Sequence, residues 1–315
     1  MIFSLSTSYF AGRHLSPETM AAQTRSLGFE AVELGYFTRD IDLPAWREAL
    51  AAEGLLCPSF HAFCPMPVGM PQLGPEVFSL AETDRDAREA ALYAMRRTLD
   101  AAHAFGARAI VCHGGRVPLR ERKGLFGKRP YYSQLSEALR ALGHPDPALI
   151  EHERALREAS AGALMDALSF SLDSLLPHFE AAGITLAFEN LPGLEAFPDP
   201  AESAFLCQRF PTPALGAWYD IGHGERKARV GDWPVDATLN LTLPHTVGCH
   251  IHDVSGLEND HCAPGEGSVN YHALLPLLTK HDLIRCFEPA PSVSPDALVR
   301  GRELITELLE NNPIQ

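Results

Sequence analysis

Six residues could do chemistry together: His61, His113, Glu189, Asp220, His250 and Glu288. Each lies at or near the end of a short, apolar, β-rich run, and each offers an imidazole nitrogen or a carboxylate oxygen, the donors that hold divalent transition metals. Any one of these histidines alone would read as an ordinary polar residue of a loop or core edge. Six in succession are another matter, because unpaired charges at adjacent sites repel one another and are expensive to desolvate, and a bound cation removes that cost. His223 follows Asp220 by three residues, and His261 lies in the run Asn259-Asp260-His261-Cys262-Ala263-Pro264-Gly265-Glu266-Gly267. The inventory is therefore large enough for more than one ion. His252 shares a face with His250 by the two-residue period of a strand, and either contacts substrate or donates to a carboxylate of the ligand set.

The elements that must position these groups are legible as eight β-rich runs: 2–7, 30–35, 55–61, 107–113, 184–189, 214–220, 247–253 and 284–288. Between them lie helical patterns such as 86–105, where Ala91, Leu92, Met95, Leu99, Ala102 and Phe105 keep the spacing of one buried face. Gly106 closes that helix, and Leu27-Gly28, Glu53-Gly54 and Ala182-Gly183 repeat the hand-over from helix to glycine to strand. Strand and helix in alternation, eight times, predict one α/β domain over 1–315, a single (β/α)8 TIM barrel whose strand ends converge on a mouth where substrate binds. Cys112 and Cys249 alternate away from their neighbouring histidines and should face the helix layer. Asn190 beside Glu189 could act on the ligands only indirectly. Gly114 and Gly115 either let an anion approach the backbone or make a tight turn.

Two connections are longer than a barrel needs, and both follow strands ending in histidine. The first, 62–82, carries Pro65, Pro67, Pro71 and Pro75 with Met66 and Met70 and reads as a stiffened apolar flap. The second, 114–158, holds Arg116, Arg120, Arg122, Lys123, Lys128 and Arg129 against one acid, Glu121, within a stretch of fifteen residues. It is either a solvated loop or a site for anionic oxygens. The rest of the chain is acidic: 26 Lys and Arg against 40 Asp and Glu among 315 residues give a net charge of −14, which disfavours nucleic acid as a partner. With 46% hydrophobic and 21% charged residues the chain has material for a core and no signature of disorder. Seven scattered cysteines with no C-x-x-C read as reduced thiols of a cytoplasmic protein. The start lacks a basic segment followed by an apolar stretch, and no apolar run is long enough to span a bilayer, so no membrane is expected. The oligomeric state is not readable.

Val32-Glu33-Leu34, the run Asp100 to Gly115, Phe188-Glu189-Asn190, Tyr219-Asp220-Ile221-Gly222-His223, His250-Ile251-His252-Asp253, Pro264-Gly265-Glu266-Gly267 and Glu288-Pro289 follow one another on successive strands. In that order they resemble the xylose-isomerase-like TIM barrels, and within them the endonuclease-four-type (AP endonuclease family 2) metal-dependent phosphodiesterases, over nearly the whole chain. The resemblance implies one ion on His61, His113, Glu189 and Glu288, a second on Glu189, Asp220, His250 and Glu288, and a third on His223, His261 and a loop acid. The acid expected two residues before His261 is replaced by Asn259, which leaves Asp260 as the candidate. The cofactors implied are two or three divalent ions, zinc or manganese by their mixed imidazole and carboxylate ligands. Glu189 and Glu288 would be the catalytic carboxylates bridging the ions, and Glu33, Arg116, Arg120, Arg122, Lys123 and His252 would meet the substrate. The implied activity is hydrolysis of a phosphodiester in a small-molecule metabolite, and a superfamily member that cleaves the nucleotide loop of a cobamide suggests one such substrate. The alternative is a single-metal sugar or sugar-phosphate isomerase or epimerase, using Glu189, Asp220, His250 and Glu288. A barrel that only binds a ligand is disfavoured by so many costly donors.

Overall fold

The computed structural model describes every residue except 1, 68–69, 71–73, 125–126, 132, 258 and 313–315, and over 120–131 it describes the backbone alone. Eight strands form the centre: β1 (Phe3–Ser6), β2 (Ala31–Leu34), β3 (Leu56–His61), β4 (Ala109–Cys112), β5 (Thr185–Glu189), β6 (Leu215–Asp220), β7 (Thr246–Ile251) and β8 (Ile284–Phe287). Each pairs in parallel with its sequence neighbours, and β1 pairs with both β2 and β8, so the sheet closes into a (β/α)8 barrel. The expected strand runs are recovered to within one or two residues. Around the barrel run α1 (Pro17–Ser26), α2 (Leu43–Glu53), α3 (Arg85–Ala104), α4 (Leu135–Leu142), α5 (Pro147–Ala182), α6 (Pro200–Arg209), α7 (Ile221–Arg229), α8 (Val235–Thr242), α9 (Leu275–Leu278) and α10 (Pro295–Glu310). Among the described residues no helix is long and apolar enough to cross a membrane.

The sequence launches and ends these helices by local chemistry. Ser16, Asp84, Asp146, Asp199, Asp220 and Ser294 each accept a hydrogen bond from a first-turn N–H, an interaction worth about 1 kcal/mol per cap. Gly54 and Gly183 take the left-handed conformation that stops α2 and α5 and turns the chain toward the next strand. The helix predicted over 86–105 is α3, and Ala91, Leu92, Met95, Leu99 and Ala102 are its buried face as expected. Cys112 and Cys249 pack outward into the clusters between strands and helices.

Both long connections differ from the sequence reading. The chain from 114 to 158 is not one loop. An antiparallel hairpin pairs Arg120–Gly124 with Gly127–Tyr131, α4 follows, and Asp146 with Pro147 starts α5 well before 158. The segment 62–82 is not an exposed apolar flap either: Ala62, Phe63, Cys64, Met66, Leu80 and Ala81 are buried in the main hydrophobic cluster with α3 and α5. Its apolar side chains face inward because burial removes them from water.

Inside the barrel, Ala109, Val111, Ala187, Trp218, Ile284 and Cys286 form a packed floor. The strand period sets Trp218 directly below Asp220 and Gly248 directly below His250, and the two lower residues are partners in register. Gly248 is required there, since a Cβ at this position would stand 2.1 Å from the Trp218 ring. Gly248→Ala should therefore destabilise the fold by about 1–3 kcal/mol, the usual range for overpacking. A denaturant midpoint equal to that of the parent would show that the indole can move aside.

Candidate metal centre

The mouth of the barrel is built by the same two-residue period that fills its floor. His61 stands above Ser59, His113 above Val111, Glu189 above Ala187 and Glu288 above Cys286. Asp220 and His250 are register partners on adjacent strands. All six converge as the sequence predicted, His113 and Glu288 from one residue beyond their strands.

Glu189 lies at the centre with its side chain 1% exposed. One oxygen, Oε2, lies 3.2 Å from Nε2 of both His61 and His113. The other, Oε1, lies 3.2 Å from His223 Nδ1 and 3.3 Å from His250 Nδ1. His250 Nδ1 is also 3.0 Å from Glu288 Oε2 and 3.5 Å from Asp220 Oδ2. Donor atoms bound to one tetrahedral ion at about 2.0–2.1 Å stand roughly 3.3 Å apart, which is the spacing found here. Among the described residues, three groups have all their donor atoms within 4.8 Å of one another: His61, His113 and Glu189; Glu189, Asp220, His250 and Glu288; and His223, His252 and His261. Glu189 belongs to two of them. A fourth group, Glu33, His250 and Cys286, is a poor metal site, because burial holds the Cys286 thiol protonated well above its ordinary range. Imidazole and carboxylate donors at this spacing could hold a divalent metal ion.

In the third group the hydrogen bonds fix the proton positions. His261 sits at φ 55, a left-handed conformation uncommon outside glycine, and three hydrogen bonds hold it there. Its N–H donates to His252 Nδ1 at 2.9 Å, its ring Nδ1–H donates to the Glu288 carbonyl at 2.8 Å, and its own carbonyl accepts from Ala290 N–H at 2.7 Å. A carbonyl only accepts, so His261 Nε2 is left with its lone pair. His252 Nδ1 accepts, so its Nε2 carries the proton and donates to Asp220 at 2.9–3.0 Å.

Several assignments change in consequence. His252 is fully buried with both nitrogens engaged, so it braces Asp220 and does not meet substrate. Glu33 is also fully buried: it accepts from Ser59 Oγ at 2.7 Å and lies 3.0 Å from His250 Nε2, which makes it the carboxylate that orients His250. Arg116 is spanned between Glu76 and Glu195 by ion pairs of 2.9 and 2.8 Å, an arrangement that ties two loops together. Asp260 pairs with Arg226 at 2.6 Å and stands outside the third donor group, because that guanidinium satisfies it. Asn259 is exposed and bonded to Cys262 Sγ. The side chains of Arg120, Arg122 and Lys123 lie outside the described residues.

Asn190 brackets Asp220, donating to its carbonyl at 2.9 Å and accepting from its N–H at 2.8 Å. Tyr36 was missed by sequence reasoning. Its ring meets the His61 ring edge-on at 5.8 Å, and burial, with Glu288 and Glu189 nearby, raises its phenol far above the ordinary range. Its only signal was its place two residues beyond the end of β2.

Without an ion, the imidazoles serve as the counter-charges of the acids. Burial opposes protonation of His61, but the Glu189 carboxylate outweighs it and raises the group above its ordinary value. The same contest, won by Asp220 and Glu189, raises His223 to about 9, and Glu288, Glu33 and Glu189 hold His250 well above its ordinary value. Burial pushes Glu189 up, yet His250 and His113 bring it well below its usual range. His261 goes the other way, lowered by burial and by His252.

The chain matches a family model over residues 21–304, that of the xylose isomerase-like TIM barrel. The protein belongs to this family. Among solved structures, this xylose isomerase-like barrel is similar to a D-tagatose 3-epimerase-like protein at 16% identity and TM-score 0.67, with 99% of this chain and 98% of the other covered. It is similar to the 3-keto-D-glucoside 4-epimerase YcjR from E. coli at 13% identity and TM-score 0.66, with 98% and 99% covered. A third, the IOLI protein with a binding zinc atom, is 12% identical at TM-score 0.60, with 97% and 96% covered. At such identities the likeness concerns the fold. No curated protein matches the chain.

The raised histidines give a pH dependence with a definite sign. A histidine whose folded pKa is raised contributes stability that is complete below its unfolded value of about 6.5 and is lost as pH rises through the folded value. For His223 that window runs from about 6.5 to about 9. The chelator-treated protein should therefore melt at a lower temperature at pH 9 than at pH 6.5. Zinc-loaded protein should show the opposite trend over the lower part of that range, because ligation requires neutral imidazole. Parallel melting curves for the two forms would contradict this account.

Proposed function

We propose that this barrel is a metal-dependent hydrolase that cleaves a phosphodiester in a small-molecule metabolite, at a site holding two or three zinc or manganese ions. The observation that carries the reading is the division of Glu189: one carboxylate oxygen faces His61 and His113, and the other faces His223 and His250. A carboxylate so placed is suited to bridge two ions. Ions bound there would lower the pKa of water toward neutrality and polarise the phosphoryl oxygens. The chain's own groups have separable tasks. His261 offers the Nε2 lone pair to a proton. Tyr36, held protonated, can donate a hydrogen bond at the mouth. Trp218 and its neighbours close the floor to water. Arg120, Arg122 and Lys123 are the candidate cations for a diester. The nucleotide loop of a cobamide is the diester to which the resemblance points.

A second reading is a single-metal sugar or sugar-phosphate isomerase or epimerase. It is favoured by the names of the structural neighbours and by the complete set Glu189, Asp220, His250 and Glu288. Glu189 and Glu288 would then exchange a proton at carbon.

Metal content separates the two. Protein purified without chelator should carry at least two transition-metal ions per chain, and His61→Ala or His113→Ala should remove one ion and abolish hydrolysis of bis(p-nitrophenyl) phosphate. One ion per chain, unaffected by either substitution and accompanied by interconversion of ketoses, would establish the isomerase reading instead. The third ion has its own test: with Asp260 engaged by Arg226, Asp260→Asn should leave metal content unchanged.

A further inference from the structure

Most site histidines present their outer nitrogen to a partner fixed by the barrel or its short loops. His61 Nδ1–H donates to the Ala62 carbonyl at 3.1 Å, and His261 Nδ1–H donates to the Glu288 carbonyl at 2.8 Å. His250 Nε2 lies 3.0 Å from Glu33. His113 differs. Its Nε2 faces Glu189 at 3.2 Å, while its Nδ1 is buried without a hydrogen bond. The group facing that nitrogen is Glu76 Oε1, at 3.5 Å.

Glu76 comes from the long connection 62–82 and not from a strand end. Its carboxylate is held from the other side by Arg116, whose Nε lies 2.9 Å from both oxygens and whose Nη1 lies 2.8 Å from Glu195. The guanidinium leaves Glu76 charged and aimed at His113.

We propose that Glu76 is the positioning residue of His113: its carboxylate takes the Nδ1 proton in a hydrogen bond, turns the Nε2 lone pair toward Glu189, and so sets how tightly His61, His113 and Glu189 hold an ion. A carboxylate behind a ligating imidazole fixes its tautomer and raises its basicity. A cation on Nε2 makes Nδ1–H more acidic, and drawing the 3.5 Å contact in to hydrogen-bond length needs only about half an ångström. Through Arg116 the same carboxylate is joined to Glu195. The inference rests on the hydrolase reading in one respect, that an ion occupies this position.

The test is made on the full chain with zinc, titrated against a competing chelator, for the parent, Glu76→Ala and Glu76→Gln. Glu76→Ala should weaken one ion by about 10- to 100-fold and leave the others unchanged. Glu76→Gln, whose amide oxygen still accepts, should recover part of the loss, and it is the variant to use if the alanine protein does not fold. In nitrogen-15 histidine spectra of the zinc-loaded protein, the His113 Nδ1 proton should move upfield in Glu76→Ala. Unchanged affinity at every ion, or a uniform loss at all ions together with a lower melting temperature of the metal-free chain, would overturn the positioning role alone. A parent chain that binds no ion sensitive to His113→Ala would overturn both this role and the reading beneath it.

Discussion

The carboxylate of Glu189 is the point on which the mouth of this barrel depends. Its two oxygens stand within 3.3 Å of four imidazoles that arrive from β3, from the end of β4, from the first turn of α7 and from β7. A buried carboxylate cannot remain ionised without compensation on this scale. The compensation constrains the fold: four elements must deliver their histidines at one height, which a closed parallel sheet with fixed register does without adjustment. The floor fixes that height from below, since the Trp218 ring occupies the space that a side chain at Gly248 would fill.

Around this point His250 and Asp220 are braced by groups on other strands and loops. Glu33 holds His250, His252 holds Asp220 by its side chain, and Asn190 holds Asp220 by its backbone. Asp220 in turn caps α7 by accepting from the His223 N–H at 2.7 Å, so the residue that could bind an ion also orients the helix that delivers His223. A change at a bracing residue is therefore expected to act on the ligands through their geometry.

The barrel was legible because its signals are local and repeated: apolar runs of strand length, capped helices and a glycine at four of the returns. The six strand-end donors were legible for the same reason, since a two-residue period fixes which side of a strand faces inward. What escaped was set by tertiary partners. Nothing local distinguishes His252 as a brace from His252 as a substrate contact; the difference is the His261 N–H that occupies its Nδ1. Asp260 seemed free to replace the missing loop acid, and Arg226, 34 residues earlier, claims it. Arg116 resembled the other cations of its run until Glu76 and Glu195, 40 and 79 residues away, closed on it. The 62–82 connection read as a flap because proline and methionine leave no periodicity, whereas its apolar residues were core.

The choice between many ions and one turns on the histidines that a single-ion enzyme would not need. One ion on Glu189, Asp220, His250 and Glu288 satisfies those four donors and leaves His61, His113 and His223 beside Glu189 without an ion of their own. Each would still incur the cost of burial, and in a domain stabilised by only some 5–15 kcal/mol such costs are not negligible. Replacing them by apolar residues of similar volume would then be neutral or stabilising, as holds for many buried ionic groups. Fold likeness at 12–16% identity does not bear on this point, because it reports the path of the chain and not the donors at its strand ends. The donor inventory is therefore what bears on the choice: the three extra imidazoles around one shared carboxylate act as counter-charges in the metal-free chain, and they are also donors that a second ion could use.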